Sequence, residues 1–347
     1  MTKTLHASAP GKVILCGEYA VLQGAPALVA GIDRRVNLQL KSQASSRPGI
    51  TLCCPGFLPG ASQLHWQATE LVSTEPSLTL LMKLFNALLA EMPRATDILR
   101  SHGWALEIDS RALFDTQHKL GLGSSGALAT ALAGVLWTLS GAVPSREQAW
   151  PIIHKAHSIA QGKQGSGADV AASLCGGTCV FSNQQQLHCT LEPLRLPQGT
   201  HLAFIWTGTS ASTPKYLHSL SQWRERHPTS FAQHMGLLEE QSRTSAMART
   251  ANELVANFRQ FTEVLHEFDG DSQLGIFANG HEQLYLSGRK YRHLTYKPCG
   301  AGGGDLGLAL ASDTIELTDF LAQLGKHGVH ALPLAIDYSG LTTEQHE

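Results

Sequence analysis

The chain has 347 residues, 43% of them hydrophobic and 16% charged, a globular composition that excludes disorder and a membrane-like protein. With 26 Lys+Arg against 28 Asp+Glu the formal net charge is -2, so there is no global positive field to hold nucleic acid or an anionic membrane, and an anionic ligand must be gripped locally. The length exceeds one comfortable hydrophobic core and predicts two domains with a cleft between them.

The first stretch alternates β-leaning segments, 4 to 8, 12 to 16 and 27 to 40, with expected turns at Pro10-Gly11 and Gly24-Ala25-Pro26. Leu78 to Met92 spaces its apolar residues as an amphipathic helix ending before Pro93, and Trp104 to Ile108 reads as a strand. A long Ala/Leu-rich helix is expected from the serines after Gly123 to Gly141, and a second from Arg146 to Gln161. A strand in HLAFIWTG opens the second half, followed by helices expected around 213 to 225, 230 to 268 and 271 to 287. No solenoid period or long low-complexity tract interrupts the series.

Seven cysteines, at 16, 53, 54, 175, 179, 189 and 299, form an odd set with no CxxC pair and no zinc spacing, which suits a reducing, cytoplasmic setting. No apolar run reaches the roughly 18 residues of a membrane span, VILCGEYAVL is interrupted by Glu18, and no targeting or lipidation signal is legible. His154 and His157 share a helix face, but no third metal ligand lies near them in sequence. Ordinary hydrogen-bonding roles are expected there.

Three motifs carry chemistry. In KLGLGSSGALATAL, residues 119 to 132, small residues allow close backbone approach, successive amides can face one concavity, and the following helix adds its positive end. This reads as a phosphate cradle, neither GxxxxGK[ST] nor GxGxxG, with a helix-entry turn capped by Ser124 or Ser125 as the plainer alternative. In APGKVILCGEYAVLQG, residues 9 to 24, Lys12 precedes a buried-strand pattern and Glu18 interrupts an apolar run. In KPCGAGGGDLGLAL, residues 297 to 310, four of the five residues Gly300 to Gly304 are glycine, a loop suited to backbone or ligand contact, or simply a mobile one.

Together, in this order and at these separations, the motifs resemble those of the GHMP kinase superfamily. GEYAVLQG with Tyr19, KLGLGSS with Lys119, AQGKQGSGADVAASLCGG (160 to 177) and IWTGTSASTPKYL (205 to 217) are similar to the phosphomevalonate kinase branch, whereas mevalonate kinases usually carry His in place of the tyrosine and a PSGxDN pattern.

The resemblance implies a two-lobed α+β fold, with a ribosomal protein S5 domain 2-like lobe over residues 1–195 and a ferredoxin-like lobe over 196–347. It implies ATP and Mg2+ as cofactors, and ATP-dependent phosphorylation of a small phosphorylated acceptor, 5-phosphomevalonate, in the mevalonate route to isoprenoids. Mevalonate or another small alcohol as acceptor, and an inactive ligand sensor on the same fold, are the alternatives. Catalytic roles fall on Lys12 and Asp169, and nucleotide contacts on Lys119, Gly121, Leu122, Gly123, Ser124, Ser125, Gly126 and Ala127. Acceptor contacts fall on Lys12, Glu18, Tyr19, Ser166, Gly167, Ser212, Thr213, Gly302 and Gly303, with Lys119, Lys163 and Lys215 as further cations. Ser125 resembles the magnesium-ligating hydroxyl of relatives, while their acidic ligand has no counterpart, since the corresponding stretch reads HSIAQ. No nucleic acid or membrane partner is implied, and the assembly is a monomer or homodimer.

Overall fold

The computed structural model describes residues 3–44, 48–114, 119–162, 165–184, 188–211 and 213–346. The first half runs β1 (Thr4–Cys16), β2 (Ala27–Ser42), β3 (Gly49–Cys53), β4 (Ser62–Gln67), β5 (Glu70–Val72), α1 (Thr79–Glu91), α2 (Pro93–Ser101), β6 (Gly103–Asp109), α3 (Ser124–Ser140), α4 (Arg146–Gln161), α5 (Ala168–Cys175), β7 (Thr178–Gln184) and β8 (His188–Leu194). The second runs β9 (His201–Trp206), α6 (Thr213–Arg226), α7 (Pro228–Ala246), α8 (Ala251–Ser272), α9 (His281–Gly288), β10 (Leu294–Pro298), β11 (Leu306–Ala311), α10 (Thr314–Gly325), β12 (Ala331–Leu332) and β13 (Thr342–His346).

Two sheets divide the molecule into two lobes. The larger has the path β13-β1-β2-β6-β3-β4-β5, with β7 paired to β2 and β8 to β7. The smaller has the order β10-β11-β9-β12, antiparallel throughout, with helices between β9 and β10 and again between β11 and β12. That βαββαβ order is ferredoxin-like. The end of the chain returns to the larger sheet. β13 pairs with β1, and Arg35 secures the return through an ion pair to Asp337 and hydrogen bonds donated to the carbonyls of Ser8 (2.8 Å) and Gly340 (2.7 Å).

Each lobe buries large side chains, Phe85, Trp104, Trp150 and Phe181 in the first, Phe258, Phe261, Phe268 and Phe320 in the second. Each such residue contributes about 1.5–3 kcal/mol on removal from water. α3 is buried nearly all round, and its Ala-rich surface lets it pack against β1 and β2.

Three expectations need correction. Pro10-Gly11 is not a turn, because β1 passes through it with a register shift between the two residues. A bulge accepts a proline without N–H, and an added Cβ on Gly11 would lie 2.7 Å from the Leu122 carbonyl, so the glycine lets a loop sit on the strand. The helix expected over 230 to 268 is broken between α7 and α8, where the Thr250 side chain accepts from the Glu253 amide at 3.2 Å and starts a new helix. The helix expected over 271 to 287 is interrupted too. The Asp269 carboxylate accepts from the amides of Gly275, Ile276 and Phe277 at 2.7, 2.8 and 2.9 Å, which gives this backbone partners outside a helix before α9 begins.

Candidate active site

The three motifs converge on one cleft of about 610 Å³ lined by both lobes. Its floor is set by β1. The Lys12 amide donates to the Leu122 carbonyl at 2.8 Å, which draws the glycine-rich loop onto the strand. Gly121 and Gly123 adopt φ of 73° and 71°, a left-handed backbone that side chains disfavour. An added Cβ at Gly121 would stand 2.5 Å from Asp305 Cγ, and one at Gly123 2.6 Å from Lys12 Cγ. The loop is therefore held between a lysine from the first motif and a carboxylate from the third.

Gly123 is the N-cap of α3 and supplies no side-chain cap, so the first-turn amides and the positive helix end are left for an anion. This geometry fits a phosphate cradle. Gly126 lies in the same turn, with its Cβ position 3.0 Å from Asp169 Cγ, so the absence of a side chain there lets α3 and α5 come together beneath the cleft.

Asp169 is in the first turn of α5, its side chain 24% exposed, with Oδ1 accepting from the Val170 amide at 2.9 Å. Burial pushes its carboxyl up, but His157, Lys12, the Val170 amide and His154 together hold it below the usual carboxylate range. It is an anion at neutral pH. Gly167, at φ 82°, has no room for a side chain, because the Trp150 indole would be 2.5 Å from a Cβ there and donates to the Gly167 carbonyl at 3.1 Å. Ser166 Oγ accepts from the Ala168 amide at 3.3 Å.

The second lobe completes the cleft with Asp305. Its amide donates to the Thr209 carbonyl at 2.7 Å and its carboxylate accepts from the Ala211 amide at 3.2 Å, while Ser210 Oγ donates to the Lys119 carbonyl at 3.1 Å. Burial raises the Asp305 carboxyl, opposed by the Ala211 amide, Lys12 and Lys119. Partial burial lowers the Lys119 ammonium, with Asp305 opposing that shift and Lys12 adding to it. Both lysines thus lie between two carboxylates, Asp305 and Asp169.

Glu18 and Lys297 form an ion pair between the lobes, 1% and 0% exposed. Glu18 Oε1 also accepts from the Gly300 amide at 3.3 Å. Tyr19, held at φ 63°, donates to the Ala301 carbonyl at 2.6 Å and meets Phe268 edge-on at 5.2 Å.

Of the residues singled out from the sequence, Lys12, Glu18, Tyr19, Lys119, Gly121, Gly123, Ser125, Ser166, Gly167 and Asp169 line the cleft. Leu122 and Ala127 are fully buried. Ser124 opens α3 but is not among the cleft residues. Gly302 packs on Ile276 and Gly303 under the Tyr216 hydroxyl, so both shape the third motif without lining the cleft. Thr213 begins α6, Lys215 on that helix is exposed and lies outside the cleft lining, and Ser212 and Lys163 lie outside the described residues. Asp305, Gln161 and Tyr216 also line the cleft and were not singled out as site residues from sequence, and His157, read there as an ordinary hydrogen-bonding residue, lines it too. Asp305 ends the GGGD run, and the polar spacing of His157 and Gln161 on α4 was the available signal for the other pair.

Residues 80–177 match the GHMP kinases N terminal domain. Phosphomevalonate kinase of Streptomyces sp. (strain CL190) is 26% identical over 382 residues, covering 98% of this chain and 99% of the relative. The chain carries a GHMP kinases N terminal domain and resembles GHMP kinases along nearly its whole length, and it is a phosphotransferase. Mevalonate kinase of Thermococcus sibiricus (strain DSM 12597 / MM 739) is 27% identical over 316 residues, covering 88% of this chain and 89% of the relative. The structure of Streptococcus pneumoniae phosphomevalonate kinase in complex with phosphomevalonate and AMPPNP superposes with a TM-score of 0.77 at 17% identity, covering 95% of this chain and 99% of that one. The two-lobed α+β fold is that of the family.

Among the described residues no group of three or more His, Cys, Asp or Glu could hold a metal ion, and no helix is long and apolar enough to cross a membrane. The cleft lining includes the Ser125 hydroxyl and the Asp169 and Asp305 carboxylates, oxygen donors of the kind that magnesium takes.

Proposed function

We propose that this GHMP kinase transfers the γ-phosphoryl group of ATP to 5-phosphomevalonate, giving 5-diphosphomevalonate and ADP in the mevalonate route to isoprenoids. The observation that carries this reading is the clustering of Lys12 and Lys119 about Asp305 in the same cleft as Asp169 and the glycine loop. Asp305 and Asp169 balance the two lysines in the cleft, and a phosphorylated acceptor beside the γ-phosphate needs such cations more than an alcohol does. The similarity to the Streptomyces phosphomevalonate kinase supports the same acceptor. Mevalonate is the second reading, supported by the similarity to the Thermococcus enzyme.

In the proposed reaction an oxygen of the acceptor phosphate attacks the γ-phosphorus, the bond to the β–γ bridging oxygen breaks, and ADP departs with that electron pair. Charge spreads over the transferring oxygens, so positioning and electrostatics supply most of the catalysis. The amides from Gly121 to Ala127 hold nucleotide phosphates, and Lys12 neutralises oxygens between donor and acceptor. Asp169 orients Lys12 and the acceptor. A phosphomonoester has a second pKa of about 6, so its oxygen arrives deprotonated and needs no strong base. Ser125 would hold magnesium through its hydroxyl, the metal supplying further charge neutralisation. Tyr19, Ser166 and Gly167 form the acceptor side, with Glu18 held beneath it by Lys297. The first lobe's catalytic unit spans 1–195 and the second begins at 196, with the terminal strand β13 returning to the first.

The test is ADP release with ATP and magnesium against 5-phosphomevalonate, mevalonate, galactose and homoserine. The reading expects 5-phosphomevalonate to have the highest kcat/KM. Preference for mevalonate would move the assignment to mevalonate kinase, and nucleotide binding without turnover on any acceptor would favour the ligand sensor.

A further inference from the structure

α4 carries a polar pair, His157 and Gln161, one helical turn apart and both facing the cleft. Gln161 Nε2 lies 3.1 Å from Ser125 Oγ and 2.7 Å from His157 Nε2. An amide nitrogen has two protons and no lone pair to offer, so in this orientation it donates one proton to the serine oxygen and one to the ring nitrogen. His157 Nε2 is then an acceptor and the proton of the neutral imidazole sits on Nδ1. Nδ1 faces Asp169 Oδ2 at 3.7 Å, beyond a direct hydrogen bond but close enough for an N–H dipole to act on the carboxylate. Flipping the amide would place the ring proton on Nε2 and turn the Nδ1 lone pair toward Asp169, which is repulsive for a neutral ring. The His157 side chain is 8% exposed, so bulk water screens these interactions little.

Building on the proposed phosphoryl transfer, we propose that His157 is a positioning residue: Gln161 fixes its neutral Nδ1–H tautomer, and that N–H holds Asp169 in register with Ser125 at the start of α3. The chain Ser125–Gln161–His157–Asp169 couples the end of the nucleotide loop to the carboxylate on α5. His157 therefore acts through Asp169 and touches no reacting atom.

Asparagine can place an N–H where the ring has Nδ1, whereas glutamine reaches the Nε2 end and offers nothing to Asp169. His157→Gln should lower kcat by about tenfold, with the ATP KM changed less than about twofold, and His157→Asn should recover most of that loss. In an Asp169→Asn background the His157→Gln change should cost little further rate, because its target is gone. Equal losses in His157→Gln and His157→Asn, or an undiminished loss in the Asp169→Asn background, would overturn the proposal.

A nitrogen–proton correlation spectrum of the histidine rings in the wild-type protein at pH 8, assigned by the signal lost in His157→Asn, gives a readout independent of activity. The proposal expects Nδ1–H, and Nε2–H would overturn it. If the enzyme prefers mevalonate, the function reading fails while the kinetic cycle, run on mevalonate, still decides the role of His157.

Discussion

At Gly123 the backbone needs φ 71° and the space of a Cβ is taken by the Lys12 stem. Gly123→Val therefore strains the loop and displaces Lys12, two effects at the point where nucleotide phosphates are to bind. The ATP KM should rise by at least about tenfold, equivalent to about 1.4 kcal/mol, with the fold retained by circular dichroism. ATP binding as tight as wild type would make the loop a structural turn only. Asp169 gives a second test. Its carboxyl is held below the usual range, so it stays ionised through the pH range where a phosphomonoester titrates. Asp169→Asn should leave a measurable rate on 5-phosphomevalonate, with a loss at the lower end of the 10²–10⁴-fold typical of a missing general base. The residual rate should rise through about pH 6 with acceptor ionisation and then level. Complete inactivity of the folded variant at pH 8 would restore Asp169 as an indispensable base.

Among the elements, the third motif is held by a buried histidine. His281 Nδ1 is 2.7 Å from the Tyr296 hydroxyl, and its Nε2 is 2.9 Å from the Gly304 carbonyl. A carbonyl only accepts, so Nε2 donates and Nδ1 accepts from tyrosine, which defines a neutral ring. Burial lowers its pKa from 6.5 to about 4. Between those values the unfolded chain binds more protons than the folded one, so stability rises with pH across the window and falls as pH drops through it. The largest change from this group is about 3 kcal/mol. Denaturant midpoints from pH 4 to 7 should show this slope in wild type and a flatter one in His281→Gln. An unchanged slope in the variant would remove His281 as its source.

The same scale explains what was legible in the sequence. α3 was visible as an Ala/Leu-rich run between Gly123 and Gly141, and α4 continues through an internal Pro151 to Gln161 as its length suggested. The breaks around α8 depend on single side chains, Thr250 and Asp269, whose hydrogen bonds outweigh a continuing helical pattern. The three motifs were legible as local runs, but the contacts of Asp305 with Ala211 and of His157 with Asp169 join residues far apart in sequence, which no local pattern announces.

Across the whole molecule, the lobes meet at the buried Glu18–Lys297 pair. Burial opposes the charged Lys297, and Glu18 more than restores it, keeping the ammonium above its ordinary value. Lys297→Met leaves an unpaired buried carboxylate and should cost about 3–5 kcal/mol in urea unfolding, with Glu18→Gln added to it recovering part of the loss. A cost below about 1 kcal/mol would show that the pair adds nothing to the joining of the lobes. That junction brings the glycine loop, Asp169, Asp305 and two lysines into one cleft. The most direct measurement of its purpose is phosphorus NMR of the products formed from ATP and magnesium with 5-phosphomevalonate or mevalonate. The account predicts that 5-phosphomevalonate gives ADP together with the two coupled phosphorus signals of a new diphosphate monoester. A new phosphomonoester signal from mevalonate, with 5-phosphomevalonate left unchanged, would contradict it.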